Sequence, residues 1–195
     1  KFFSAEGYKL PDEVEDQLEA LVRTTPDTMP RPTGAELGTI RTDEAAVEAY
    51  VEHLVGTGQP LTGMKLVVDC GHGAAYKLSP EVLRRLGAEV IALNTAPDGM
   101  NINDGCGSTH PEELQRAVVA HGAHAGIAHD GDADRCIAVD ERGELVDGDQ
   151  IMAICALDLH ARGALAGDTV VATVMSNMGL ELLLKKHQIQ LLKTK

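Results

Sequence analysis

From Lys65 onward the sequence alternates short aliphatic runs with amphipathic stretches, and this restricts the fold more than any other feature. Lys65–Asp69, Glu89–Leu93 and Ala125–Ala128 are too short for helices and read as buried strands. Two helical patterns separate them. In the first, Ser79 is the expected cap, Pro80 takes the first position, Val82, Leu83 and Leu86 turn inward, and Gly87 ends it. In the second, Thr109 and Glu112 form an expected capping box, and the pattern runs through His121 to Gly122. The joints Leu86-Gly87-Ala88 and His121-Gly122-Ala123 repeat one βα solution. Strand–helix–strand order of this kind predicts an α/β fold: a mainly parallel mixed sheet covered by helices. Ligands of such sheets collect at the carboxyl ends of the strands.

The flanks extend this pattern. Lys1 to Ser4 reads as the end of a strand, and Pro11 opens a helix with Val14, Leu18, Leu21 and Val22 on one face. Thr24 to Gly38 is a connector rich in Pro and Gly. Asp43 is placed to cap a helix through Tyr50, Val51 and Leu54, which Gly56 to Gly63 breaks. Cys136–Val139 returns as a strand after Ala125–Ala128. Asp149–Arg162 follows as a helix, Thr169–Met175 as a strand and Gly179–His187 as a helix.

At the end of the Ala125–Ala128 run stands His129-Asp130-Gly131-Asp132-Ala133-Asp134-Arg135. Three carboxylates occupy alternate positions, and Gly131 and Ala133 between them have almost no side chain. A compact turn there aims three oxygens at one point. Held that close, they repel one another unless a cation sits among them. Oxygen ligands alone favour a hard divalent ion: Mg²⁺, Ca²⁺ or Mn²⁺. Arg135 adds a guanidinium suited to a phosphate or to one of the carboxylates. The chemistry this suggests is a metal site serving phosphate transfer.

Other readings of the loop compete. Asp130, Asp132, Asp134 and Glu141 fall at positions 1, 3, 5 and 12 of an EF-hand. Arg135, however, stands where the sharp-turn Gly belongs, and an apolar strand follows. An aspartyl phosphatase would use Asp130 as nucleophile and Asp132 as acid/base, but wants Thr or Val at position 134. A solvated acidic turn is the plainest option. Gly71-His72-Gly73 is either a phosphate cradle or a simple tight turn. His121, His124 and His129 need not converge on zinc. The stretch Asn94–His110 is long for a structureless loop.

Composition closes off several classes. The net charge is −13 and the pI near 4.9, which argues against nucleic acid and against an anionic membrane surface. Aromatics are only 3% of residues, so the core is aliphatic. No apolar run reaches transmembrane length. The widely spaced Cys70, Cys106, Cys136 and Cys155 form neither a zinc pattern nor a disulfide framework. They read as reduced, mostly buried thiols of a cytoplasmic protein.

With these residues in place, the chain resembles the α-D-phosphohexomutase superfamily, and within it the bacterial phosphoglucosamine mutases. Asp130 to Arg135 is similar to the superfamily's metal loop. Further likenesses run along the chain in family order: Lys1 to Ser4, Val68 to Cys70, Pro97 to Asn103, Cys106 to Pro111, Val146 to Gln150 and Met175 to Gly179. The resemblance implies a four-domain enzyme of which this is an internal piece. Residues 1–41 would be the tail of domain 1 and a linker, 42–144 the complete domain 2 carrying the metal loop, and 145–195 the beginning of domain 3. It implies interconversion of glucosamine 6-phosphate and glucosamine 1-phosphate through a phosphoserine and a bisphosphate intermediate. Sister families act on mannose and glucose phosphates. A non-catalytic Ca²⁺-binding module is the alternative of another class.

Mg²⁺ would be held by Asp130, Asp132, Asp134 and one phosphoserine oxygen. Arg135 would orient a carboxylate or the phosphate, and Lys1 would assist proton transfer. The nucleophilic serine would lie upstream of Lys1, leaving the isolated chain inactive. The implied partners are a phosphorylated amino sugar and the remaining domains of the same parent, with no nucleic acid and no membrane. The sequence departs from the family at Gly71-His72, where many members have Ala-Asn, and at Ala49, where many have Arg.

Overall fold

A computed structural model describes residues 2–24 and 30–194, Thr24 by its backbone only. It divides into two compact units, Lys1–Asp43 and Glu44–Lys195, each described by itself. In the first, helix α1 (Asp12–Thr24) starts directly after Pro11, whose carbonyl accepts the Val14 and Glu15 N–H groups. Asp12, Glu13 and Glu15 lie in the first turn, where the helix dipole favours negative charge. Lys9 reaches both Asp12 and Glu15 at 2.8 Å. Of the strand expected at Lys1 to Ser4, the described residues 2–4 show one antiparallel bridge, Phe3 to Lys9, across the Ser4–Tyr8 turn.

The second unit opens with α2 (Glu44–Thr57) and continues β1 (Lys65–Asp69), α3 (Leu78–Arg85), β2 (Glu89–Leu93), α4 (Glu112–His121), β3 (Ala125–His129), β4 (Cys136–Asp140) and β5 (Leu145–Val146). The sheet order is β2-β1-β3-β4-β5. Strands β2, β1 and β3 are parallel; β4 and β5 add on antiparallel. This is the expected mixed α/β sheet. Its β1 and β2 coincide with the aliphatic runs residue for residue.

Side-chain alternation divides the sheet's two faces. Val67, Ala128 and Val139 pack with Leu114 and Val118 of α4. Gly126 permits this approach: a Cβ there would lie 2.6 Å from Val118 and 2.7 Å from Leu114. Gly122, at φ +59°, ends α4 with its N–H on the Val118 and Val119 carbonyls. Ile127 turns to the other face, toward Leu83 of α3, Leu86 just after that helix and Leu54 of α2, which line one cavity with it.

The chain goes on through α5 (Gly148–Ala161), β6 (Thr169–Thr173), α6 (Met178–Lys186) and β7 (Gln190–Thr194). Asp147 caps α5 in a reciprocal box with Gln150. β6 and β7 form a separate parallel pair, covered by Ala153, Ala156, Leu180 and Leu184. Among the described residues no helix is long and apolar enough to cross a membrane.

Candidate metal centre

The acidic loop is the turn of a β-hairpin. His129 pairs with Cys136 in the antiparallel β3–β4 ladder, so residues 130–135 span the gap between two strands at the sheet's rim. A helix–loop–helix is thereby excluded, and with it the EF-hand. Ala133 takes φ +57°, and its N–H bonds the Asp130 carbonyl at 3.0 Å, which folds the loop back on itself.

One carboxylate oxygen from each of Asp130, Asp132 and Asp134 lies within 4.8 Å of the others. No other cluster of three or more acids, histidines or thiols among the described residues has this geometry. Asp130 is 2% exposed, while Asp132 and Asp134 are on the surface. Oδ1 of Asp130 accepts the Arg135 N–H at 3.1 Å, and Oδ2 accepts Arg135 Nε at 2.8 Å. Arg135 Nε also lies 3.5 Å from Asp134. Burial pushes the Asp130 carboxyl upward, but the Arg135 N–H and guanidinium outweigh it and hold the group below its ordinary value. Asp130 is therefore an anion at neutral pH. Each of its oxygens keeps a second lone pair for a cation. The donor set, three carboxylates with one buried and two exposed, fits a hard divalent ion.

Two neighbouring segments hold the loop in place. After β1, the Gly71 N–H goes to Asp69 Oδ1, the His72 N–H to Asn94, the Gly73 N–H to Cys70 and the Ala74 N–H to Gly131. Every amide of this turn is engaged within the protein. It is a tight turn, not a phosphate cradle. Gly73 sits directly on the acidic loop: a Cβ there would fall 2.4 Å from the Gly131 carbonyl oxygen.

The stretch Asn94–His110 is the second support. Asp98 accepts the Met100 and Asn101 N–H groups, Asn101 Nδ2 reaches the Ala96 carbonyl, and the Asn103 N–H bonds Gly71. A Cβ on Gly131 would lie 2.6 Å from Ile102 and 3.0 Å from Asn103 Nδ2. The long segment is an ordered strap pressed on the acidic loop. Asp69, fully buried, ties the pieces together through the Gly71 and Gly107 N–H groups, each at 2.9 Å. Its signal in the sequence is slight: an acid ending an aliphatic run just before a glycine turn.

Other expected roles change. Ser79 does not cap α3, which begins at Leu78; its hydroxyl lies 2.8 Å from His129 Nε2. Thr109 makes no capping bond to α4, whose cap position is Pro111. The histidines do not converge: His124 Nδ1 accepts the Lys65 N–H, and His129 faces Ser79. Burial lowers the His129 pKa against the pull of Asp130 and Asp69. Cys70 and Cys106 are buried, but Cys136 and Cys155 are exposed. Burial, then the charge of Asp69, pushes the Cys70 thiol up to about 12. Lys1 lies outside the described residues.

Comparison with known proteins agrees with this architecture. The profile of phosphoglucomutase/phosphomannomutase alpha/beta/alpha domain II matches residues 48–143, and that of domain III matches residues 147–195. The chain belongs to the phosphoglucomutase/phosphomannomutase family. A phosphoglucosamine mutase of Symbiobacterium thermophilum is 81% identical over all 195 residues. One from Pelotomaculum thermopropionicum is 56% identical over 196 aligned residues. In both cases the match takes in 100% of this chain and 44% of the relative. A crystal structure of a phosphoglucomutase/phosphomannomutase family protein from Burkholderia thailandensis superposes with a TM-score of 0.72 at 27% identity, covering 96% of this chain and 39% of that one. Within this family fold, the acidic loop is the β3–β4 turn of the domain II match.

Proposed function

We propose that this chain supplies the cation-binding part of a phosphoglucosamine mutase, with Asp130, Asp132 and Asp134 as the protein ligands of Mg²⁺. The observation that carries this is the convergence of three carboxylate oxygens within 4.8 Å at the rim of the sheet, in a chain 81% identical to such a mutase. A cation bound there would neutralise charge on a transferring phosphoryl group and fix its direction. Asp130 is the rigid ligand, fixed by Arg135 and by its burial. Asp132 and Asp134, both exposed, would complete the ligand set. The Arg135 side chain, 75% exposed, has guanidinium nitrogens beyond Nε to offer a phosphate oxygen.

The wider reaction belongs to the same proposal. A phosphoserine gives its phosphoryl group to glucosamine phosphate, and a sugar bisphosphate returns one from its other end. The serine and the sugar-reading groups lie in parts of the enzyme outside this chain, with Lys1 as a proton-transfer aid beside the serine. The partners are then a phosphorylated amino sugar and the remaining domains, in the cytoplasm, with neither nucleic acid nor membrane.

The test has two parts. Titration of the chain with Mn²⁺, followed by the electron paramagnetic resonance signal of the free ion, should show one weak site that Mg²⁺ competes for and Asp132→Asn weakens. Tight Ca²⁺-selective binding would instead favour a calcium module. In a full-length protein carrying this sequence, Asp132→Asn should lower kcat strongly with glucosamine 6-phosphate. A near-normal rate, or a preference for mannose or glucose phosphates, would overturn the respective part of the assignment.

A further inference from the structure

Asp130 is gripped on both sides by one segment of chain. The Ala74 N–H donates to the Gly131 carbonyl at 2.8 Å, just after Asp130. The Ser79 hydroxyl meets His129 Nε2 at 2.8 Å, just before it, across 50 residues of sequence. One anchor comes from the turn before α3 and the other from the helix's own first turn. The backbone carbonyl of His129 is enclosed as well: a Cβ on Gly107 would come within 2.6 Å of it, and one on Gly71 within 3.2 Å. The backbone at the end of β3 is therefore closely enclosed, and the imidazole adds a side-chain anchor to it.

The surroundings make that bond consequential. Ser79 and His129 line a cavity of about 530 Å³ between α2 and α3. Its walls there are aliphatic (Leu54, Leu83, Leu86 and Ile127), and the cavity reaches on to Asp132 and Ala133 of the acidic loop. Both groups are half-buried, and within this mostly aliphatic lining each has the other as its hydrogen-bond partner, so removing one loosens the hold on the end of β3. Groups that hold a metal ligand's orientation affect metal affinity without touching the ion.

We propose that the Ser79–His129 hydrogen bond is a positioning device for the divalent-cation site, setting the end of β3 so that Asp130 meets Asp132 and Asp134 at a common focus. Neither residue is a ligand; both act through Asp130. The proposal rests on the reading of the acidic loop as a cation site.

The experiment is Mn²⁺ titration of the unaltered chain, Ser79→Ala, His129→Phe, the double variant and Ser79→Thr, with far-UV circular dichroism confirming that each is folded. Ser79→Ala and His129→Phe should each weaken Mn²⁺ binding on the order of tenfold. The double variant should be no weaker than either single one, because one interaction is removed in all three. Ser79→Thr keeps the hydroxyl and should regain most of the affinity. If His129→Phe does not fold, the contrast of Ser79→Ala with Ser79→Thr decides alone. Unchanged Mn²⁺ affinity in Ser79→Ala alongside a lower unfolding midpoint would overturn the proposal, leaving the pair a purely structural role. Additive losses in the double variant would overturn it too. No Mn²⁺ binding by the unaltered chain would instead sink the cation-site reading beneath it.

Discussion

Asp69, the last residue of β1, accepts the Gly107 N–H on Oδ2 at 2.9 Å, from a residue 38 positions further along the chain. Its other oxygen takes the Gly71 N–H. One buried carboxylate thus joins the turn after β1 to the strap that covers the acidic loop. Such an anion is tolerated away from water because donors aim at both oxygens. Asp69→Ala leaves two buried N–H groups without partners, at about 1–3 kcal/mol each. The variant should lose about 3 kcal/mol or more of unfolding free energy in urea titration, and Asp69→Asn, which keeps one acceptor, should lose less. Amide exchange at Gly107 should quicken in both. A variant as stable as the parent would mean that Asp69 does not hold these segments.

Gly73 tests the close approach of the two turns. Its backbone φ is not in the left-handed region, so the need for glycine there is steric alone. A Cβ would meet the Gly131 oxygen at 2.4 Å and its Cα at 2.7 Å, both backbone atoms that move only with the acidic loop. Gly73→Ala should destabilise by about 1–3 kcal/mol, in the range of overpacked sites, and should weaken Mn²⁺ binding. Gly56 in α2 meets nothing within 4 Å of an added Cβ. Gly56→Ala should therefore be neutral or gain up to about 1 kcal/mol from helix propensity. Calorimetry of the two variants side by side checks the contrast.

Local patterns were legible where a local cause fixes the structure. The aliphatic runs of β1 and β2 and the left-handed stop at Gly122 depend on burial pattern and on one residue's backbone freedom. The carboxylates at 130, 132 and 134 were readable as a cluster because their spacing forces proximity in any tight turn. What escaped depends on partners distant in sequence. Ser79 looks like a cap by type and position, yet its hydroxyl goes to His129 on another element. Gly71 to Gly73 look able to cradle an anion, yet their amides are taken by Asp69, Asn94 and Cys70. Strand β7, Gln190–Thr194, exists as a strand through pairing with β6, which its own mixed polar and apolar residues do not announce.

Arg135 makes a prediction for acid pH. Burial raises the Asp130 pKa, and the Arg135 N–H and guanidinium lower it further than burial raises it, so the folded value lies below the ordinary 3.8. A carboxyl with a lowered folded pKa contributes stability that is complete above the unfolded value and lost as pH falls through the folded one. This contribution should hold from neutral pH down to about 5 and fade below the ordinary carboxylate value. Arg135→Ala keeps the backbone N–H but removes the guanidinium. It should raise the Asp130 pKa and move the loss to higher pH. Carboxyl ¹³C shifts of Asp130 against pH measure this directly, and an unmoved midpoint would refute the pairing as its cause.

The loop's two exposed acids separate charge from shape. Asp132→Asn and Asp134→Asn preserve side-chain size and remove one negative charge each. A hard divalent ion is held chiefly by the charge of its oxygens, so each variant should weaken Mn²⁺ binding by roughly tenfold, about 1.4 kcal/mol. Both side chains are exposed, and the Asp134–Arg135 pair is a surface one, so unfolding free energy in the absence of metal should change by no more than about 1 kcal/mol. Loss of Mn²⁺ affinity at nearly constant stability is the signature of a cation site held together by its ion. Loss of stability without loss of Mn²⁺ affinity would mark the acids as parts of the hairpin alone.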